Sequence, residues 1–149
     1  MALYQHILVP VDDSPVAYGA AEHARAFAAA IGAKVTFMSV VAVDPFYGID
    51  FYVVAPAITD YFMQAEKNAQ LRLEDLKQTL TQDGVEVDCK IVHGKTPAEG
   101  ILQVADEVGA DLIMMGSHKR DGLEKLMLGS VAQHVLNQAM IPVLIIKQK

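Results

Sequence analysis

The stretch Asp111-Leu112-Ile113-Met114-Met115-Gly116-Ser117-His118-Lys119-Arg120-Asp121-Gly122-Leu123-Glu124-Lys125-Leu126-Met127-Leu128-Gly129-Ser130 decides the fold. After one acid, Leu112 to Met115 is wholly apolar, which reads as a strand buried on both faces in a parallel sheet. Beyond the stretch, Val131, Val135 and Leu136 recur at helical spacing. A strand therefore ends at Gly116, a loop of about a dozen residues follows, and a helix begins at Gly129-Ser130. Ser130 is the expected N-cap, and the helix would turn its free amides and positive dipole end toward the loop. That arrangement suits an anion, phosphate above all, and it equally suits an ordinary strand-to-helix turn.

The composition sets the frame for that strand and helix. A chain of 149 residues fits a single domain spanning residues 1–149, large enough to bury a substantial core. Hydrophobic residues make up 52% and charged residues 20%, which argues for a globular protein and against disorder. The net charge of −6, with no basic arm to offset it, argues against a nucleic-acid partner. The single cysteine, Cys89, has no partner for an internal disulfide, and Met1 to His6 lacks a basic segment leading into an apolar signal core. No apolar run approaches the roughly 20 residues that cross a bilayer. The expected compartment is the cytoplasm, with no membrane partner.

Toward the N-terminus the chain alternates strand and helix. Ile7 to Val11 is a β-branched run ended by Asp12-Asp13-Ser14-Pro15, and Pro10 must sit at the strand's end or at a bulge. Ser14 caps and Pro15 opens an alanine-rich helix, which Gly32 closes. Val35 to Val43 is a second strand. The segment from Asp44 to Tyr61 carries Phe46, Tyr47, Phe51 and Tyr52 without a clean period. It reads either as a long connection packed on the domain or as a lid or partner surface. From Thr59 or Asp60 to about Thr81 runs a long helix with Phe62, Ala65, Ala69, Leu73, Leu76 and Leu80 as its apolar stripe.

Val85, Val87, Cys89 and Ile91 then alternate with charged residues, as in an edge strand, and His93-Gly94-Lys95 reads as a turn. Cys89 on that strand is expected to face inward as a small hydrophobe. Thr96-Pro97-Ala98-Glu99 is a capping box that starts a helix ending at Gly109. After the central loop come a helix to about Ala139 and a last strand, Val143 to Ile146. Five strands, the first four each followed by a helix, predict an α/β, doubly wound parallel sheet with helices on both faces.

In such sheets ligands lie outside the carboxyl ends of the strands, where the strand order reverses. The loops Pro10 to Ser14 and Gly116 to Ser130 would flank one crevice if the first and fourth strands are neighbours. There Asp12 or Asp13 is placed to hold a ribose hydroxyl or Mg2+, the helix start at Gly129-Ser130 to take phosphates, and Val40 to pack on a base.

At these residues the chain resembles the universal stress protein family, over essentially its whole length. The anchors are Ile7-Leu8-Val9-Pro10-Val11-Asp12, Gly94-Lys95-Thr96-Pro97-Ala98, Asp111 to Ser130, and Pro142-Val143-Leu144-Ile145-Ile146. The resemblance implies an adenine-nucleotide alpha-hydrolase-like fold with strand order 3-2-1-4-5. The nucleotide-binding branch carries Gly, two residues, Gly, nine residues, Gly, then Ser or Thr. Gly116, Gly129 and Ser130 match the first glycine, the third glycine and the hydroxyl, whereas Lys119 stands at the second glycine. Lysine there restricts the backbone and brings either an ammonium to a triphosphate or a side chain to water.

By resemblance, Asp12 would bind ribose or metal, Val11 and Val40, beside Pro10, the adenine, Met115 and Gly116 the ribose-phosphate region, and Gly129, Ser130 and Val131 phosphates. The cofactor implied is ATP, AMP or ADP, with Mg2+. Three function classes follow: a nucleotide-binding stress or signalling module, a dimeric interaction protein in which Lys119 has cost tight ATP binding, and a slow ATP hydrolase or autophosphorylating protein. The apolar last strand, Val143 to Ile146, agrees with a homodimer. Further protein partners would meet the chain through Phe46 to Tyr61.

Overall fold

The computed structural model describes residues 3–41, 56–117 and 129–147. The expected loop from His118 to Leu128, including Lys119, and most of the aromatic segment lie outside these residues. Among the described residues the elements are β1 (His6–Pro10), α1 (Pro15–Ile31), β2 (Lys34–Val41), α2 (Pro56–Gln82), β3 (Val87–His93), α3 (Pro97–Val108), β4 (Leu112–Ser117), α4 (Ser130–Gln138) and β5 (Val143–Lys147). The strands form one five-stranded parallel sheet in the order β3-β2-β1-β4-β5.

Side chains alternate across each strand with period two, and both faces are covered. Ile7, Val9, Val35, Phe37, Leu112 and Met114 pack with the alanines of α1 and with Leu73, Leu76 and Leu80 of α2. Leu8, Met38, Ile113 and Met115 pack with Ile101 and Val104 of α3 and with Ala132 and Val135 of α4. The first two crossovers run outward from β1 on one side, the third returns past β1 to β4, and the fourth continues outward to β5. The strand order therefore reverses between β1 and β4.

The helix boundaries follow their capping chemistry. Ser14 caps α1 and accepts from the Ala17 N–H, while Gly32 closes the helix at φ 74°. Thr96 and Glu99 form the reciprocal capping box of α3, and Gly109 closes that helix at φ 69°. The Thr96 backbone N–H holds the Glu99 carboxyl below its ordinary range. α2 starts at Pro56, ahead of the expected Thr59, because proline is well suited to a helix's first turn. β3 runs on through His93, which the sequence reading assigned to a turn. β3 is an edge strand, and Cys89 on it is half-buried against the α1–α2 core, with its thiol pushed up by burial. No helix among the described residues is long and apolar enough to cross a membrane.

Candidate functional site

The site is built where β1 and β4 part. They pair at Ile7–Leu112 and Leu8–Ile113, yet β1 continues to Pro10 and β4 to Ser117. Pro10 ends β1, the place a residue without an N–H tolerates best. On the other side β1 stays zipped to β2: the Val11 N–H donates to the Met38 carbonyl at 2.8 Å, and the buried Ser39 hydroxyl donates to the Val11 carbonyl at 2.8 Å. A crevice therefore opens at the carboxyl end of the sheet where β1 and β4 part.

A cavity of about 290 Å³ fills it, close to the lower end of the roughly 300–1,000 Å³ usual for small-molecule sites. Pro10, Val11, Asp12, Val40, Met115, Gly116, Gly129, Ser130 and Val131, all expected from the sequence, line this one cavity. Lys119 falls outside the described residues. The lining also includes Ser14 and Ser117, within the two loops expected to flank the crevice, and Val16, Ala17, Met38, Pro97, Ile101 and Ala132, which sequence reasoning did not name. A general signal for several of these was present. Each helix after a parallel strand starts at the carboxyl end of the sheet, so Ser14-Pro15 and Thr96-Pro97 had to lie near the crevice.

The sheet order gives the cavity two ends. Val40 on β2, with Pro97 and Ile101 on α3, forms an apolar end. Gly116 and Ser117 on β4, with Gly129 and Ser130, form a polar one. The strands β2 and β4 flank β1, so these ends are about two interstrand spacings apart, roughly 10 Å.

The three helices that start here are capped differently. α1 and α3 are closed by Ser14 and Thr96 side chains. α4 corrects the expectation that Ser130 is the N-cap: Gly129 occupies that position, at φ −59°, and makes no side-chain cap bond, while Ser130 is the first helical residue. The reason is the Gly129 N–H, which donates 2.9 Å to the Ser117 hydroxyl and so ties the helix entry to the end of β4. The Gln133 N–H donates to the Gly129 carbonyl at 3.0 Å. Ser130, Val131 and Ala132 line the cavity, and their amides precede that ladder at the positive end of the helix dipole.

Gly116 and Asp12 complete the walls. A Cβ at Gly116 would stand 2.7 Å from Val16 Cγ2 and 2.8 Å from the Val16 carbonyl oxygen, so glycine is required for β4 to approach α1 this closely. Asp12 Oδ1 accepts from the Ser14 N–H at 2.8 Å and from the Ser14 hydroxyl, which fixes the carboxylate at the cavity rim.

Residues 3–147 match the model of the universal stress protein family. The chain belongs to the universal stress protein family. A universal stress protein of Methanocaldococcus jannaschii is 36% identical over 149 residues, covering 98% of this chain and 84% of the relative. The solved universal stress protein UspA from Lactobacillus plantarum superposes with a TM-score of 0.80 at 25% identity, over 98% of this chain and 99% of that one. The family resemblance and the adenine nucleotide alpha-hydrolase-like fold read from the sequence are thus borne out.

Two solved relatives carry nucleotides. One is a universal stress protein in complex with cAMP, 26% identical, TM-score 0.65, over the whole of both chains. The other is a universal stress protein from Archaeoglobus fulgidus in complex with dAMP, 26% identical, TM-score 0.63, over 97% of this chain and 99% of that one.

Proposed function

We propose that this protein binds an adenine nucleotide, ATP with Mg2+, in the β1–β4 crevice and works as a cytoplasmic stress-response module whose output is a change of partner or conformation. The observation that carries the reading is the helix start without a side-chain cap at Gly129, set across one cavity from an apolar end. A base is a flat apolar body, and Val11, Met38, Val40 and Ile101 offer it the burial that drives such contacts. The amides of Ser130, Val131 and Ala132 match phosphate oxygens, and the Ser130 hydroxyl adds a donor. The Asp12 carboxylate, held by Ser14, takes a ribose hydroxyl or Mg2+. The relatives in complex with cAMP and dAMP share adenine, sugar and phosphate, the chemistry these groups would read.

Calorimetric titration of the nucleotide-stripped protein with ATP, with and without Mg2+, tests this reading. Micromolar binding is expected, weakened about tenfold in Asp12→Asn, the loss of roughly one charge-assisted bond. No heat and no thermal stabilisation at millimolar ATP would put the second reading in its place. In that reading Lys119, at the motif's second glycine, has removed tight binding and the protein acts through contacts alone.

The assembly proposed for either reading is a homodimer across β5. This edge strand exposes Leu144, 42% accessible, with Val143 and Ile145 half-buried and Met140 exposed just before it. An apolar unpaired edge is a liability that a second copy removes. Sedimentation should give a dimer at micromolar concentration, and Leu144→Lys should give a monomer.

A further inference from the structure

Gly100 is the fourth residue of α3, buried, with its N–H donated to the Thr96 carbonyl at 2.9 Å. Glycine is a poor choice inside a helix, and at Gly100 the structure shows a reason for it. Conformation is not that reason, since among the described residues the glycines at positive φ are Gly32, Gly84, Gly94 and Gly109. Space is. A Cβ at Gly100 would stand 2.6 Å from Val40 Cγ2, with Val40 Cγ1 and Cβ at 3.6 and 3.7 Å. Contacts that short are not tolerated, and Val40 is stiff about χ1, so the valine would have to turn or its strand shift.

Val40 packs on the α3–α4 face of the sheet. It lines the crevice cavity, and it also lines a second cleft of about 400 Å³ against α2. Pro97 and Ile101, three residues before and one after Gly100, line the crevice as well. Val40 lies against bare Gly100 backbone, and that contact sets how far its methyl groups stand into the apolar end of the cavity.

We propose that Gly100 is the positioning residue that sets the depth of the base-binding end, so that this site admits a bicyclic purine. The inference rests on the nucleotide reading given above. With alanine at 100, Val40 is driven off α3 and into the volume the base would occupy. The phosphate end, on β4 and α4 two strands away, is untouched.

The test is a double-mutant cycle read by ATP affinity on wild type, Gly100→Ala, Val40→Ala and the double variant, with inorganic triphosphate as a second probe. Gly100→Ala should bind ATP at least tenfold more weakly and inorganic triphosphate as wild type does. The double variant should return to the affinity of Val40→Ala, because the shortened side chain no longer meets the new methyl. A merely structural role would weaken both probes together. Alanine is the better helix former, so thermal unfolding reports whether α3 itself has been damaged, and the double variant keeps the test open if Gly100→Ala folds poorly. If Gly100→Ala binds ATP like wild type, or the double variant stays as weak as Gly100→Ala, the inference is overturned while the nucleotide reading stands. If wild type binds no ATP, both fall together.

Discussion

The two ends of the sheet are built on opposite principles. At the amino ends of the strands, polar groups are matched to one another. Asp111 accepts from the Gln5 and His6 N–H groups at 2.8 and 2.9 Å, Lys34 pairs with Asp88 at 2.8 Å, and His6 Nε2 lies 2.6 Å from the Thr36 hydroxyl. At the carboxyl ends β1 and β4 separate, a cavity opens, and one helix begins without a side-chain cap. One end uses its polar groups to join strands, while at the other, beside the Ser39–Val11 and Ser117–Gly129 bonds, the start of α4 borders a cavity. Stability and ligand contact are thus segregated along a single strand direction, and mutations at the two ends should separate in their effects.

The largest effect is expected at the crevice, where Gly116→Ala puts a methyl 2.8 Å from the Val16 carbonyl oxygen. Overpacking against backbone should destabilise the protein by about 3 kcal/mol and also weaken ATP by well over tenfold. Denaturant melts with calorimetry on the same samples check both, and an unchanged affinity would break the claim that the closeness of β4 to α1 shapes the site.

At the opposite end, Asp111→Ala removes two charge-assisted bonds and should cost about 2 kcal/mol, with ATP affinity unchanged. A loss of binding there would mean the two ends are coupled. The smallest effect is pH-dependent. Burial first, and Lys34 second, lower the His6 pKa below 6.5, so the folded state favours the neutral ring. The unfolded chain then binds more protons, and stability falls as pH drops through about 6.5 toward the folded-state value. Denaturation midpoints measured from about pH 8 to about pH 5.5 should slope less in His6→Gln than in wild type.

What could be read from the sequence was whatever depends on near neighbours. The strand Leu112 to Met115, the capping box at Thr96-Glu99 and the closing glycines Gly32 and Gly109 are local patterns, and each element stands where its pattern placed it, with the strand running on to Ser117. Of the crevice lining, Asp12, Val40 and the Gly129-Ser130 helix start were legible from strand ends and helix starts, whereas Val11, Met115, Gly116 and Val131 came from the family resemblance. Long-range packing was not legible. Nothing near Gly116 announces that the Val16 carbonyl presses on it, nor does the run Ala98-Glu99-Gly100-Ile101 announce Val40. The Ser130 cap was misplaced because serine's local preference lost to the bond between the Gly129 N–H and Ser117 twelve residues earlier.

The junction of β1 with β4 joins Ile7 to Leu112. During synthesis, β1, β2 and β3 are complete long before β4 leaves the ribosome, and until then β1 shows a bare edge along Ile7, Leu8 and Val9, which are fully buried in the finished protein. Closing so long a loop is slow, and an apolar strand edge left open invites pairing with the wrong chain. The seam that makes room for a ligand is therefore also the last seam of the sheet's centre to close, and the step at which a nascent copy of this chain is most exposed to its neighbours.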